Sequence, residues 1–336
     1  MAGTKDETRP SQLPPYRRIP AWRRVALLYN LNAGGRHEQR AARIVAAMAV
    51  LRKHGIEVEA IPTEGPGTAG RQAREAVERG FEVVLACGGD GTVHEVLQGM
   101  VDSPAALGVI PLGTANALAA DIGLPRSTAG AARALLRAES VPVGVARVAC
   151  ADREGHPLSR YFIAAAGVGP DAHLFYSLQG DVKHRLGYAA YYLKAAQIWL
   201  THDYPLYEIE FTSGDRVRHE RVTQLLAVRI GNMGGLVRRL APGAGLDRPD
   251  LRLVLFKRRS RLPILLHMLN AVTGVTIPLP GVELVNADRV VCRPLETAGP
   301  APVIRTEADG EVLGRLPVTL EMTRQTVNLL MPRRKR

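Results

Sequence analysis

The stretch 85–95, LACGGDGTVHE, closes an apolar run with two glycines, an acid, a third glycine and a threonine, just where an amphipathic segment begins. In open α/β sheets, ligands bind at the carboxyl ends of the strands, where such turns feed helix N-termini. Backbone N–H groups at those termini are unpaired and carry partial positive charge, which suits phosphate. Gly88, Gly89 and Gly91 permit close approach of backbone to a ligand and any positive φ that the turn demands. Asp90 is the odd member, because a carboxylate repels phosphate unless a cation lies between them. A Mg²⁺ ion bridging acid and phosphate removes the conflict. An aspartate here also reads as an ordinary helix N-cap, and the motif alone leaves both readings open.

Two further turns share this character. NLNAGG (30–35) follows the first apolar run, and PLGTANALA (111–119) follows the fourth strand. All three turns follow strands of one parallel sheet, so they converge on one edge and enclose a phosphate-sized cleft. Neither the dinucleotide-binding G-x-G-x-x-G nor the P-loop G-x-x-x-x-G-K-[ST] is present. The nine histidines show no metal-binding spacing. His94, inside the glycine motif, is expected on the helix surface rather than as a base.

Elements must position these turns. Strands are predicted at 25–29, 55–62, 81–87 and 107–113, with helices over 37–53, 68–80, 92–101 and 115–122. Alternation of this kind implies a parallel sheet with helices on both faces. In the first helix the apolar positions are Ile44, Val45, Met48 and Leu51. After about residue 140 the texture turns β-rich, with strands within 141–150, 161–169, 206–232 and 251–256 and onward to 322. One helical interruption is expected at 186–200, where aromatics recur at helical spacing and read as core or as a lipid-facing surface. The expected organisation is a disordered tail over 1–22, an α/β domain over 23–140 and a β-rich domain over 141–332. The last segment of the second domain is able to return to the first, and 333–336 is a basic tail.

Lys and Arg number 44 against 32 acids, a formal charge of +12. The excess favours an anionic partner, and clusters at 16–24, 237–240, 256–261 and the end concentrate it. Aromatic content is 5%, and no aromatic ladder accompanies the clusters, so a membrane surface ranks above nucleic acid. No apolar run approaches the roughly 18 residues of a membrane span, and no secretory h-region is visible. Cys87, Cys150 and Cys292 are too few and scattered for a disulfide framework, which fits a reducing cytosol. A cytoplasmic chain resting peripherally on membrane follows; a homodimer is compatible with the sequence but not fixed by it.

The set GGDGTVHEV, PLGTANALA, NLNAGG and EADGE (307–311), in that order over about 23–332, resembles the diacylglycerol kinase catalytic-domain family. That family includes sphingosine and ceramide kinases and bacterial lipid kinases. GGDG alone is shared with NAD kinases and phosphofructokinases; PLGTxN and DGE make the resemblance specific. It implies an N-terminal α/β nucleotide-binding domain of NAD-kinase and phosphofructokinase type, a C-terminal β-sandwich and an active site between them. It also implies ATP with Mg²⁺, a lipid substrate, and transfer of the γ-phosphoryl group to its hydroxyl. By position it assigns ATP contacts to Asn30, Asn32, Ala33, Gly34, Gly35, Thr63, Gly88, Gly89, Asp90, Gly91, Thr92, Glu95, Gly113, Thr114 and Asn116. Asp309 takes the place of the general base, with Glu311 beside it, and GVGPDA (167–172) matches a cleft-lining segment. For Asp171, a helix N-cap is an equal reading.

The base assignment is chemically sensible, since a lipid hydroxyl is a poor nucleophile and needs an acceptor for its proton. Asp-Gly by itself is also a plain hairpin signal. Departures from the family are Leu31 and Ala33 for proline and serine, and Arg248-Pro249 where an Asp-Gly would help hold a structural Mg²⁺. That leaves Asp247, with Asp250 nearby, as a doubtful metal site. A kinase of a soluble substrate, or a binding protein without turnover, are the competing readings. NALA in place of NDFA does not settle which lipid is used.

Overall fold

The computed structural model describes residues 22–30, 37–170, 204–213, 216–234, 239–275, 277–296 and 302–333. The first lobe alternates β1 (Arg24–Tyr29), α1 (His37–Lys53), β2 (Glu57–Pro62), α2 (Ala69–Glu78), β3 (Val83–Gly88), α3 (Asp90–Met100) and β4 (Ala106–Pro111). Short helices α4 (Ala117–Asp121) and α5 (Thr128–Leu135) follow. The strands pair in parallel in the order β2–β1–β3–β4. Every residue of β3 and β4 is buried, because helices cover both faces of such a sheet. In α1 the buried stripe is Arg40, Ile44, Ala47 and Leu51, so Val45 faces water rather than the core as its apolar character suggests.

The second lobe comprises β5 (Ala138–Ala151), β6 (Pro157–Phe162), β7 (Ala165–Val168), β8 (Tyr207–Ser213), β9 (Arg216–Val222), β10 (Gln224–Val228) and β11 (Leu251–Phe256). After these come α6 (Leu262–Thr273), β12 (Val282–Ala287), β13 (Arg289–Pro294), β14 (Arg305–Ala308) and β15 (Glu311–Pro332). One sheet runs β12–β11–β10–β7–β14–β15, and another runs β9–β8–β13–β15–β5–β6. They share β15 and enclose a core that includes Phe162, Tyr207, Phe211, Leu253, Val290 and Leu320. This is a β-sandwich behind an α/β lobe.

The long strand β15 does more than close the sandwich. Its later residues Asn328 and Leu329 pair in parallel with Ala106 and Leu107 of β4, and Val327, Leu329 and Leu330 are buried in the first lobe's core. Two helices depart from the sequence reading: α5, capped by Ser127, and α6, which lies within a region read as strands and turns. The helix expected over 186–200 lies outside the described residues. The three cysteines are free and buried, and burial pushes the Cys87 thiol up to about 12 and Cys150 up to about 11.

Candidate active site

Three of the motifs meet at the end of β3. Gly89, which has no side chain to offer, is the N-cap of α3. The other helix starts nearby are filled. Asp90 reaches beyond its own helix: its two oxygens accept the N–H of Asn116 at 3.0 Å and of Ala117 at 2.7 Å, where α4 begins. Glu95 accepts the N–H of Ala69 at 3.2 Å, where α2 begins. Asn116, at φ +52°, closes its own turn by accepting from the Gly113 N–H and donating to the Gly113 carbonyl. The acids of GGDGTVHE thus brace the neighbouring helices α2 and α4.

The glycines serve contact rather than unusual backbone angles. None of Gly88, Gly89, Gly91 or Gly113 has positive φ, contrary to one use expected for the motif. A Cβ on Gly113 would overlap the Cα of Gly89, so the second and third turns touch backbone to backbone. A Cβ on Gly91 would overlap the Glu311 carboxylate, so the late DGE motif lies directly against the first turn of α3.

Asp309 and Gly310, at φ +49° and +85°, form the two-residue turn between β14 and β15. The hairpin reading of Asp-Gly is therefore correct as geometry. The same turn aims the carboxylate inward. Oδ1 accepts the N–H groups of Ala164 (2.8 Å) and Ala165 (3.0 Å); Oδ2 accepts Ile163 N–H (3.1 Å) and stands 3.4 Å from His94 Nδ1. The Asp309 and His94 side chains are each 5% exposed. His94 is thus buried against the candidate base, not on the helix surface. Its position four residues after Asp90 puts both on one helix face, a signal available in the spacing.

Buried charge is concentrated here. Burial pushes the Asp90 carboxyl above the usual carboxylate range, opposed by N–H bonds from Ala117 and Asn116 and reinforced by the Asp309 charge. Arg229, 1% exposed, donates to the carbonyls of Gly144 and Arg248. Burial lowers its pKa to about 10, against the pull of Asp309 and Asp250. A basic residue inside the apolar run LLAVRIG marked it, though not its partners.

The remaining sequence candidates are spread around this centre. The Asn30 N–H bonds to Cys87 O (3.4 Å) and the Thr63 N–H to Tyr29 O (2.9 Å), tying the ends of β1, β2 and β3 together. Gly88 and Thr92 are buried, and Thr114 is exposed. Asn32, Ala33, Gly34, Gly35 and Asp171 lie outside the described residues. Asp247 is exposed, and Arg248 holds Asp250 with paired bonds of 2.7 and 2.8 Å, so a guanidinium sits beside the suspected metal position. The group of described residues spaced for a metal is instead Asp152, Glu154 and His156, on the turn between β5 and β6. Trp22, within the basic cluster at 16–24, is buried in the first lobe's core rather than offered to a membrane.

Two lobes meet here, with the first turn of α3 beside Glu311 and the buried Asp309. Residues 24–148 match the diacylglycerol kinase catalytic domain, and 165–331 match the YegS C-terminal NAD kinase beta sandwich-like domain. The chain belongs to the diacylglycerol kinase catalytic-domain family. A diacylglycerol kinase of Bacillus subtilis (strain 168) is 29% identical over 315 residues, covering 93% of this chain and 98% of that protein. One from Staphylococcus aureus (strain bovine RF122 / ET3-1) is 28% identical over 313 residues, covering 92% and 93%. A crystal structure of a diacylglycerol kinase from Bacillus anthracis str. Sterne has the same fold, with TM-score 0.66 at 18% identity and coverage of 93% and 98%.

Proposed function

We propose that this chain is an ATP-dependent lipid kinase that transfers the γ-phosphoryl group to a lipid hydroxyl, of diacylglycerol or sphingoid type, at a membrane surface. The observation that carries the reading is the meeting of α3's glycine-led N-terminus with the Asp309–Gly310–Glu311 turn. Phosphates held on the α3 N–H groups would lie beside an acid able to take the substrate's proton.

The chain's own residues divide the work. Asp90, Glu95 and Asn116 fix the relative positions of α2, α3 and α4. The amides of 163–165 fix Asp309. Those amides and His94 engage both oxygens, and the His94 contact at 3.4 Å is the longest and the weakest of the four. The hydroxyl therefore reaches Asp309 most easily on the Oδ2 side, with His94 giving way or sharing the proton. Asp90 and Glu311 are oxygen donors that suit Mg²⁺ held mainly by phosphates, with one or two carboxylates. When bound, the ion would offset charge developing on the transferring group.

The test is labelled ATP with Mg²⁺ and a mixed lipid extract, followed by mass spectrometry of the labelled product. A phosphorylated lipid is the expected product, and Asp309→Asn should lower its formation by about 100-fold or more while nucleotide affinity stays nearly unchanged. Labelling of NAD without lipid, or of no lipid at all, would sink the reading. An asparagine amide facing Ile163 N–H or the Ala164 and Ala165 N–H groups also costs stability, about 1–3 kcal/mol, so thermal melts accompany the assay.

A further inference from the structure

Helix α6 is apolar on two sides. Ile264, His267 and Ala271 face the protein, where Ile264 packs on a cluster that includes Val254 and Phe256. The opposite stripe, Leu262, Leu265, Leu269 and Val272, faces water with Met268 beside it; Leu262 is 57% exposed and Leu269 50%. The spacing of 3, 4 and 3 residues is helical, so these side chains form one continuous face. No Asp, Glu, Lys or Arg occurs from 262 to 277. A helix with apolar residues all round is normally enclosed on every side. Among the described residues, this one is covered only on the side of Ile264, His267 and Ala271.

Positive charge borders the bare stripe. Arg258 and Arg259 are exposed at the helix entrance, and Arg261 is its N-cap. Arg239, also exposed, is tied by its N–H to Ala271 O beside the far end. The nearby acids Glu220 and Glu283 are already bound to Arg218 and Lys257. An apolar face with a cationic border matches the interfacial zone of a bilayer that carries anionic headgroups. A second copy fits poorly, because a symmetric pairing through this face would bring arginines against arginines. At 12 residues the helix is too short to cross a bilayer and suits lying in its plane.

We propose that α6 is the membrane-docking element of this protein, seating its leucine face among the acyl chains of an anionic bilayer with Arg258 and Arg259 at headgroup level. The proposal rests on the lipid-kinase reading for its purpose but not for its test. Helix α6 packs on the same cluster as Ala165, whose N–H holds Asp309, so docking would bring the candidate base's lobe to the lipid.

The experiment is co-sedimentation of the purified chain, without ATP, with vesicles of equal parts phosphatidylglycerol and phosphatidylcholine, and with vesicles of phosphatidylcholine alone. Wild type should bind the anionic vesicles and release with salt. Leu265→Asp combined with Leu269→Asp should weaken binding at least about tenfold, and Arg258→Glu with Arg259→Glu should abolish the preference for anionic lipid. Both changes lie on the surface, circular dichroism checks the fold, and phosphorylation of a water-soluble short-chain diacylglycerol should be unchanged. Unaltered vesicle binding in the folded leucine variant overturns the proposal. So does a dimer that dissociates in that variant while vesicle binding persists. Vesicle binding by a chain that phosphorylates no lipid would leave the docking element standing and remove only the kinase reading.

Discussion

A side chain at Gly91 would meet the end of a glutamate, whereas one at Gly113 would meet backbone. The Glu311 carboxylate ends a flexible side chain, so Gly91→Ala should lower the melting temperature less than Gly113→Ala while turnover falls, because the carboxylate beside α3 is displaced. Gly113→Ala has to push the two touching turns away from each other, and the overpacking should cost about 1–3 kcal/mol. Melts and initial rates on both variants check the contrast; equal destabilisation would contradict the geometry. The motif residues themselves are legible in the sequence, since three glycine turns and an Asp-Gly at known order leave few alternatives. Their partners are not. That Asp90 braces α4, that Glu95 braces α2, and that His94 meets an acid 215 positions later depend on how distant turns stack. The spacing of Asp90 and His94 gave a hint, but an imidazole on a helix is surface-compatible until its neighbours are known.

Helix α6 has no side-chain cap at its N-terminus and no acid in its first turn, and both of its faces are apolar. Those are the features that defeat a periodicity reading, which looks for one polar face. The alternating strands and helices of the first lobe carry such contrast and are correspondingly visible. The attachment of α6 predicts a pH effect. His267 is buried, bonded to Leu240 O at 2.8 Å and set edge-on to Phe256. Burial lowers its pKa below the ordinary 6.5, the hydrogen bond opposing. A group of this sign stabilises the fold fully above the unfolded value, and the contribution is lost as pH falls through the lowered one. Acidification below about 6 should therefore loosen α6 first, seen as faster amide exchange over 262–273, and His267→Phe should flatten that dependence. Exchange that is independent of pH after correction for chemistry would refute it.

At the scale of the whole molecule, β15 joins the lobes as one strand, antiparallel to β5 over much of its length and parallel to β4 near its end. A boundary near residue 140, drawn from texture, falls inside β5, which runs unbroken from 138 to 151. Texture reports which residues alternate, not which strand spans two cores. Removing residues 327–333 should strip three buried side chains from the first lobe and expose the β4 edge, so the shortened chain should melt well below the full one or aggregate. A preserved melting temperature would count against the shared strand. The same strand bears on synthesis. Protein lobes usually fold in turn as they leave the ribosome. Here the α/β half has to wait, half-made, until nearly 200 further residues have emerged and delivered its missing neighbour.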